Sequence, residues 1–356
     1  MRKKVKSVMG IVALSLALTA CGAQESSTSG ASGSKQGSKE LVVVDYGGDF
    51  SEMAKKYLYE PFEKANNVKI TVVSPSDAGK LKAMVQSNNV EWDVLEIDTD
   101  IGIRLGNEGL LEKLDYSVID KTNVIPELVG DYNVGCITYT TNIAYNAEVY
   151  SGDNHPKTWA EFWDTAKFPG PRGFYKSPTG TLEAALMADG VAPDKMYPLD
   201  VDRALKSLDK IKGDIKVWWE TGAQSTQLLA TKETHLSTAW NGRVSMAKTK
   251  GSKIDNEFNQ SMLMSTSWII PKGAPNKELA QKFIAFTLDP KVQAELSEHT
   301  DYGPANRKAL ELMPEDVKKR LGVTTEGLAN QVIVDMEYWA KNFDAINDQF
   351  NAWLLQ

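Results

Sequence analysis

The spacing of apolar residues changes period several times along the chain. LVVVDY at 41–46 is a short valine-rich run, the pattern of a strand buried on both faces. Gly47-Gly48 interrupts it, and in SEMAKKYLYEPFEKA (51–65) Met53, Tyr57 and Phe62 recur at helical spacing. VKITVVS (68–74) predicts a second strand, DAGKLKAMVQSN (77–88) a second helix, and WDVLEID (92–98) a third strand. Strand–helix–strand alternation of this kind implies a largely parallel sheet with helices on both faces.

A second unit repeats the pattern. TWAEFWD (158–164) opens with a capping box, Thr158 with Glu161, which marks a helix start. RGFYKSP (172–178), IKVWW (215–219), THLSTAW (234–240) and SWIIP (267–271) read as strands. TLEAALMADG (181–190), AQSTQLLATKE (223–233), NKELAQKFIAFTLD (276–289) and the segment 334–355 read as helices. Two similar α/β units in one chain predict two lobes with a cleft between them.

Ligands of open parallel sheets bind beyond the carboxyl ends of strands, where loops lead into helices. Four clusters fall in that position. Tyr46-Gly47-Gly48 follows the first strand, and its glycines permit a tight turn and close approach of backbone to a ligand. Ser177-Pro178-Thr179-Gly180-Thr181 precedes a helix that it either caps or uses to face an anion. Trp218-Trp219-Glu220-Thr221-Gly222 leads into a helix whose first turn carries Gln224. Adjacent strand residues face opposite ways, so one tryptophan is expected in the core and Trp219 in the cleft. Trp240-Asn241-Gly242-Arg243 joins a strand to a helix, with Asn241 expected as its cap.

The amino terminus changes the setting. Arg2, Lys3, Lys4 and Lys6 precede an apolar run from Val8 to Ala20, shorter than the ~20 residues of a membrane-spanning helix. This is the layout of a secretory signal peptide, residues 1–20. Leu18-Thr19-Ala20-Cys21 looks like a bacterial lipobox, so Cys21 is expected to carry a diacylglyceryl anchor. Residues 21–39 are rich in serine and glycine and read as a flexible tether that holds the body roughly 20–25 Å from the membrane. With Cys21 lipidated, Cys136 is left alone in an apolar run, an inert core thiol. The formal net charge is −7, and loss of the basic start makes it more negative, which argues against a nucleic-acid partner.

Catalytic patterns are missing. His155, His235 and His299 lie in unrelated contexts, and no zinc-protease, nucleophile-elbow, phosphate-loop or dinucleotide fingerprint occurs. No metal-ligand spacing is present, and no cofactor is expected. Asp93, Glu96, Asp98 and Asp100 form an acidic run, and alternation places Glu96, Asp98 and Asp100 on one face. That face reads as a solvated or ligand-facing strand end; a lipid-anchored, metal-dependent hydrolase built on the Asp98 region is the enzyme alternative.

Read together, the lipobox and tether, YGGDF, EPFEK, WDVLEID, GLLEKLDYS, TYTTNIAYN, TWAEFWD, VWWETGAQSTQLL, TAWNGR and DYGPANRKA resemble an extracellular solute-binding protein of an ABC importer, close to spermidine/putrescine-binding proteins. The resemblance implies a two-lobed type II periplasmic-binding-protein fold, with lobe I formed by 40–139 plus 267–308 and lobe II by 142–264 plus 309–356. It places crossings near Tyr139–Thr141 and Ser265–Trp268. It implies a monomer that traps a small solute between its lobes and delivers it to membrane permease subunits. By position, Tyr46, Gly47, Trp219, Trp240, Thr266 and Tyr302 are the implied binding residues.

The departures bear on the ligand. Polyamine binders surround their amines with carboxylates where this chain has Ser177, Gly180 and Thr266. A buried ammonium without a carboxylate is costly, whereas Arg243 beside Trp240 offers a planar fork suited to a carboxylate. Aromatics for an amine or apolar chain and Arg243 for a carboxylate point to a small zwitterion such as γ-aminobutyrate (GABA) or a related amino acid. A surface or interlobe ion pair is the competing role for Arg243. Polyamine is the competing ligand, with Asp98, Asp100 or Glu220 as the negative partner.

Overall fold

The computed structural model describes residues 39–321 and 330–356. The expected signal peptide, the lipidation site Cys21 and nearly all of the tether lie outside the described residues. Strands β1 (Lys39–Val44), β2 (Val68–Val73), β3 (Val94–Asp98), β4 (Asn133–Asn146), β5 (Arg172–Tyr175), β6 (Ile215–Trp219), β7 (Leu236–Trp240) and β8 (Ile254–Ile269) form a mixed sheet in the order β2-β1-β3-β8-β4-β7-β5-β6. The short β9 (Gly303–Pro304) pairs with β4 and β10 (Val332–Ile333) with β8.

The valine-rich run of β1 is buried on both faces for a visible reason. Leu41 and Val43 pack with Phe50, Leu58 and Phe62 from the helical segment that follows. Val42 and Val44 point the other way, to Leu81 and Met84 of helix Ala78–Gln86. In β3 the same alternation puts Val94 in the first cluster and Leu95 and Ile97 in the second. Glu96 and Asp98 therefore share Val94's face, at the carboxyl end of the strand.

β4 and β8 are long enough to belong to both halves of the sheet. At one end Thr266–Ile269 of β8 pairs with β3; at the other, Thr141–Tyr145 of β4 pairs with β7. Between them Tyr139–Thr141 lies opposite Met264–Met262, with ladder irregularities at Gly135/Thr138 and Thr141/Ile143. Of the expected crossing on β8, Thr266–Trp268 is laddered to β3 of the first half and Ser265 to Thr138 of β4. The second half, β7-β5-β6, is parallel like β2-β1-β3.

The chain's end does not all go to one half. Ala309, Met313, Val317 and Leu321 cluster with Ala294 of helix Pro290–Thr300, and Arg320 pairs with Asp301 at 3.0 Å, so this part of 309–356 sits against the first half. Helix Met336–Leu354 reaches both. Its Trp339 Nε1 donates to Glu183 at 2.7 Å and Trp353 Nε1 to Asp209 at 2.7 Å in the second half. Asp344 pairs with Arg104 of the first half at 3.1 Å. Among the described residues no helix is long and apolar enough to cross a membrane.

Candidate ligand-binding site

The carboxyl ends of β1, β3, β5 and β7 converge on one cavity, which holds about 450 Å³ of space outside atoms with its open mouth included. Its polar floor comes from β3 and its neighbours in the sheet. Asp98 faces Thr266 across the β3–β8 ladder, and Tyr139 of β4 donates its hydroxyl to Asp98 Oδ1 at 3.0 Å. The Asp98 amide donates to the Tyr46 hydroxyl at 2.9 Å. Thr266 Oγ1 donates to Glu96 Oε1 at 2.9 Å.

Aromatic rings make the walls. Trp240 meets Tyr139 edge to face at 5.9 Å and Tyr175 at 5.5 Å. Tyr302 meets Tyr139 at 6.4 Å and Phe50 at 5.7 Å, also edge to face. Electron-rich ring faces of this kind suit an ammonium or an alkyl chain.

Arg243 enters from the first turn of helix Asn241–Thr249. One Nη donates to Gly47 O at 3.4 Å, the Tyr302 hydroxyl lies beside the guanidinium, and Nε is buried without a hydrogen-bond partner. Among the described residues no ion pair engages Arg243. Gly48, at φ 67°, leaves room for it: a Cβ there would stand 3.1 Å from Arg243 Nη1. Asn241 does not cap its helix. Its Oδ1 accepts from Thr140 N at 3.0 Å and its Nδ2 donates to Asp301 O at 2.6 Å, so it ties the helix to the crossing strand and to the opposite half. Ser245 Oγ donates to Asp301 Oδ2 as well.

Burial shapes the acidic floor. It pushes Glu96 up to about 8, with the nearby Asp45 carboxylate adding to the effect. It pushes Asp98 up to about 7, with Asp100 as the next cause. Tyr46 and Tyr139 are raised well above the usual tyrosine value, again by burial first.

Of the residues expected at the site, Tyr46, Trp240, Arg243, Thr266 and Tyr302 line the cavity, while Gly47 and Gly48 border it through Arg243. Four are elsewhere. Trp219 is fully buried behind the wall, stacked on Tyr175 at 4.6 Å and edge-on to Trp240 at 5.3 Å. The half-buried Trp218 packs on Phe350 and Trp353 of the last helix. Ser177 and Thr179 belong to a capping loop away from the cavity, where Gly180 N donates to Glu183 Oε2 at 2.8 Å. Gln224 is exposed and accepts from Glu220 N at 2.9 Å. Phe50, Ile137, Tyr139 and Tyr175 line the cavity without having been singled out as binding residues. Glu96 and Asp98 did carry a signal, the strand alternation that put both on one face. Among the described residues no group of three or more His, Cys, Asp or Glu side chains is placed to hold a metal ion.

Comparison with known proteins agrees with this geometry. The chain matches the model of the bacterial extracellular solute-binding protein family over residues 57–325. The gamma-aminobutyric acid-binding protein of Pseudomonas aeruginosa is 34% identical over 323 residues, spanning 89% of this chain and 91% of that protein. Among solved structures, the Atu4243 GABA receptor is 42% identical at a TM-score of 0.81, covering 89% of this chain and 98% of that one. An ABC transporter substrate-binding protein from Bradyrhizobium japonicum USDA 110 is 39% identical at a TM-score of 0.85, covering 89% and 99%. The two sheet halves are the lobes of a periplasmic-binding-protein fold, and the cavity lies between them. The chain belongs to the bacterial extracellular solute-binding proteins, which capture small molecules rather than transform them.

Proposed function

We propose that this protein captures a small zwitterion, GABA or a related ω-amino acid, between its lobes and hands it to an ABC permease. The observation that carries the reading is Arg243: a guanidinium in the cavity wall, its Nε unpartnered, with no carboxylate of the described residues paired to it. A ligand carboxylate completes its fork. The ammonium of the same ligand goes to Asp98, among the rings of Tyr139, Tyr175 and Trp240. The similarity to a protein and a structure whose names specify GABA supports the same ligand. Lipidation at Cys21, action as a monomer, and movement of the two lobes about the crossing strands complete the proposal.

A diamine is the second reading, favoured by the two carboxylates Glu96 and Asp98 in one cavity. Titration calorimetry of the mature domain with GABA and with putrescine separates the two. They have similar lengths and differ in the charge at one end. Tighter binding of GABA is expected; binding of putrescine with no response to any carboxylate overturns the zwitterion reading. A thermal-shift screen gives the same comparison, since a ligand at 100 times its dissociation constant adds about 2.7 kcal/mol of stability.

A further inference from the structure

Two carboxylates at the ends of neighbouring strands meet burial in opposite ways. Asp45, just beyond β1, is fully buried and accepts from Gly47 N, Ser51 Oγ, Tyr59 Oη and Ser74 Oγ. Glu96 of β3 is 1% exposed and has one donor, Thr266. Its Oε2 is buried without a partner, in the wall of the cavity that contains Arg243. A buried polar atom left without a partner is costly, and the fold leaves this one free where a ligand enters.

We infer that Glu96 is a specificity-determining residue of the cavity: its Oε2 meets the ligand end held by Arg243, and its charge decides whether that end is a carboxylate or an amine. The inference deepens the zwitterion reading and rests on it. With its proton, Glu96 donates to a ligand carboxylate, and the cavity matches a neutral zwitterion through Arg243 and Asp98. Without it, two negative oxygens face each other and the cavity favours a net positive ligand.

The surroundings of Glu96 hold it near the crossover. Burial first, then Asp45 and Asp98, oppose its ionisation, while the Thr266 hydroxyl and Arg243 favour it. The other titratable groups interacting with it, Tyr46, Tyr59, Tyr302 and Cys136, are all raised by burial and stay neutral across pH 6–9. Burial, with Asp45 as the next cause, pushes Glu96 up to about 8. A ligand carboxylate beside it raises that value further, so the complex binds more protons than the free protein. GABA affinity therefore falls as pH rises above about 8. Asp98, set among Asp100, Tyr46, Tyr139 and Tyr175, titrates at about 7. A ligand ammonium lowers that value, so affinity also falls as pH drops below it.

Calorimetry of GABA and putrescine at pH 6, 7.5 and 9 tests the inference on wild type, Glu96→Gln and Thr266→Val. Wild type is expected to bind GABA roughly tenfold more weakly at pH 9 than at pH 7.5 and putrescine more tightly. Glu96→Gln cannot ionise, so both alkaline changes shrink to less than about twofold while the acid loss from Asp98 persists. Thr266→Val removes a donor that favours the charged form and moves the alkaline loss to higher pH, a readout independent of whether Glu96→Gln folds. An alkaline loss that survives in Glu96→Gln, or no alkaline loss in wild type, overturns the role of Glu96 and leaves the zwitterion reading standing. Wild type that binds no GABA at any pH overturns both.

Discussion

Arg172 and Arg243 stand at opposite ends of the same parallel pair. Arg172 begins β5, at the amino end of the strands, and Arg243 follows β7 at the carboxyl end. Arg172 is fully buried, and all three of its nitrogens are used: Nε donates to Phe162 O at 3.1 Å, Nη1 to Gly170 O at 2.7 Å and Nη2 to Phe168 O at 2.7 Å. Arg243 is half-buried, has one long bond of 3.4 Å and keeps Nε free. The two show how one side chain serves two purposes. Where loops enter the strands, a guanidinium can be saturated by carbonyls and becomes part of the scaffold. Where loops leave them, the same group held incompletely is available to a ligand.

The largest effect expected from breaking this contrast is on stability. Arg172→Met leaves three backbone carbonyls without their donor, and each buried acceptor so abandoned costs about 1–3 kcal/mol. A loss of about 3–5 kcal/mol is expected from urea unfolding, read as a lower midpoint at constant slope. A loss below ~1 kcal/mol would mean that the carbonyls find water instead.

Arg243→Met should invert that result. Its bond to Gly47 O is longer than the ~2.7–3.2 Å of a good N–H···O contact and its other neighbour is the Tyr302 hydroxyl, so the ligand-free protein changes by less than about 1 kcal/mol. GABA affinity, in contrast, is expected to fall at least ~100-fold, about 2.7 kcal/mol, because the ligand carboxylate loses its only cationic partner in the cavity wall. Unchanged affinity in this variant sinks the role assigned to Arg243.

Much of this site was legible because it obeys local rules. Tyr46, Trp240 and Arg243 sit where a strand hands over to a helix, and Thr266 and Tyr302 came with the family resemblance. What escaped depends on packing between distant segments. Strand alternation says that Trp218 and Trp219 face opposite ways but not which way is inward. The choice is made by Phe350 and Trp353, more than a hundred residues later, which cover Trp218. Ser177 and Thr179 have the composition of an anion loop, yet Glu183 turns back to Gly180 N and also receives Tyr197 and Trp339, which fixes the loop as a scaffold. Tyr139 and Tyr175 occupy the middle and end of strands, where an aromatic is ordinary core material, and only the sheet order places them in one wall.

A smaller effect is expected where the helix carrying Arg243 touches the opposite lobe. A Cβ on Gly242 would stand 2.5 Å from Tyr302 Cζ and 2.8 Å from the Thr300 carbonyl oxygen, and the backbone atom has little freedom to move. Gly242→Ala should hold the lobes apart and weaken GABA binding about tenfold by lowering the closed population. Small-angle scattering with saturating GABA checks the cause, since the variant should keep a larger radius of gyration than wild type. A wild-type radius at the same affinity would show that the contact yields without cost.

The smallest effect separates wall from backing. Trp219 touches Tyr175 and Trp240 from behind, is wholly buried, and carries an indole N–H without a hydrogen-bond partner. Trp219→Phe keeps a ring on Tyr175, removes the unpartnered donor and leaves a small void. These changes oppose each other, because relief of an orphaned N–H offsets part of the lost packing. Stability should move by no more than about 1 kcal/mol and GABA affinity by less than about threefold. Trp240→Phe, by comparison, alters a ring that lines the cavity and meets Tyr139 and Tyr175 directly, so it should weaken binding more. Equal losses in the two variants would show that the ligand feels the backing as strongly as the wall, and would return Trp219 to the cleft.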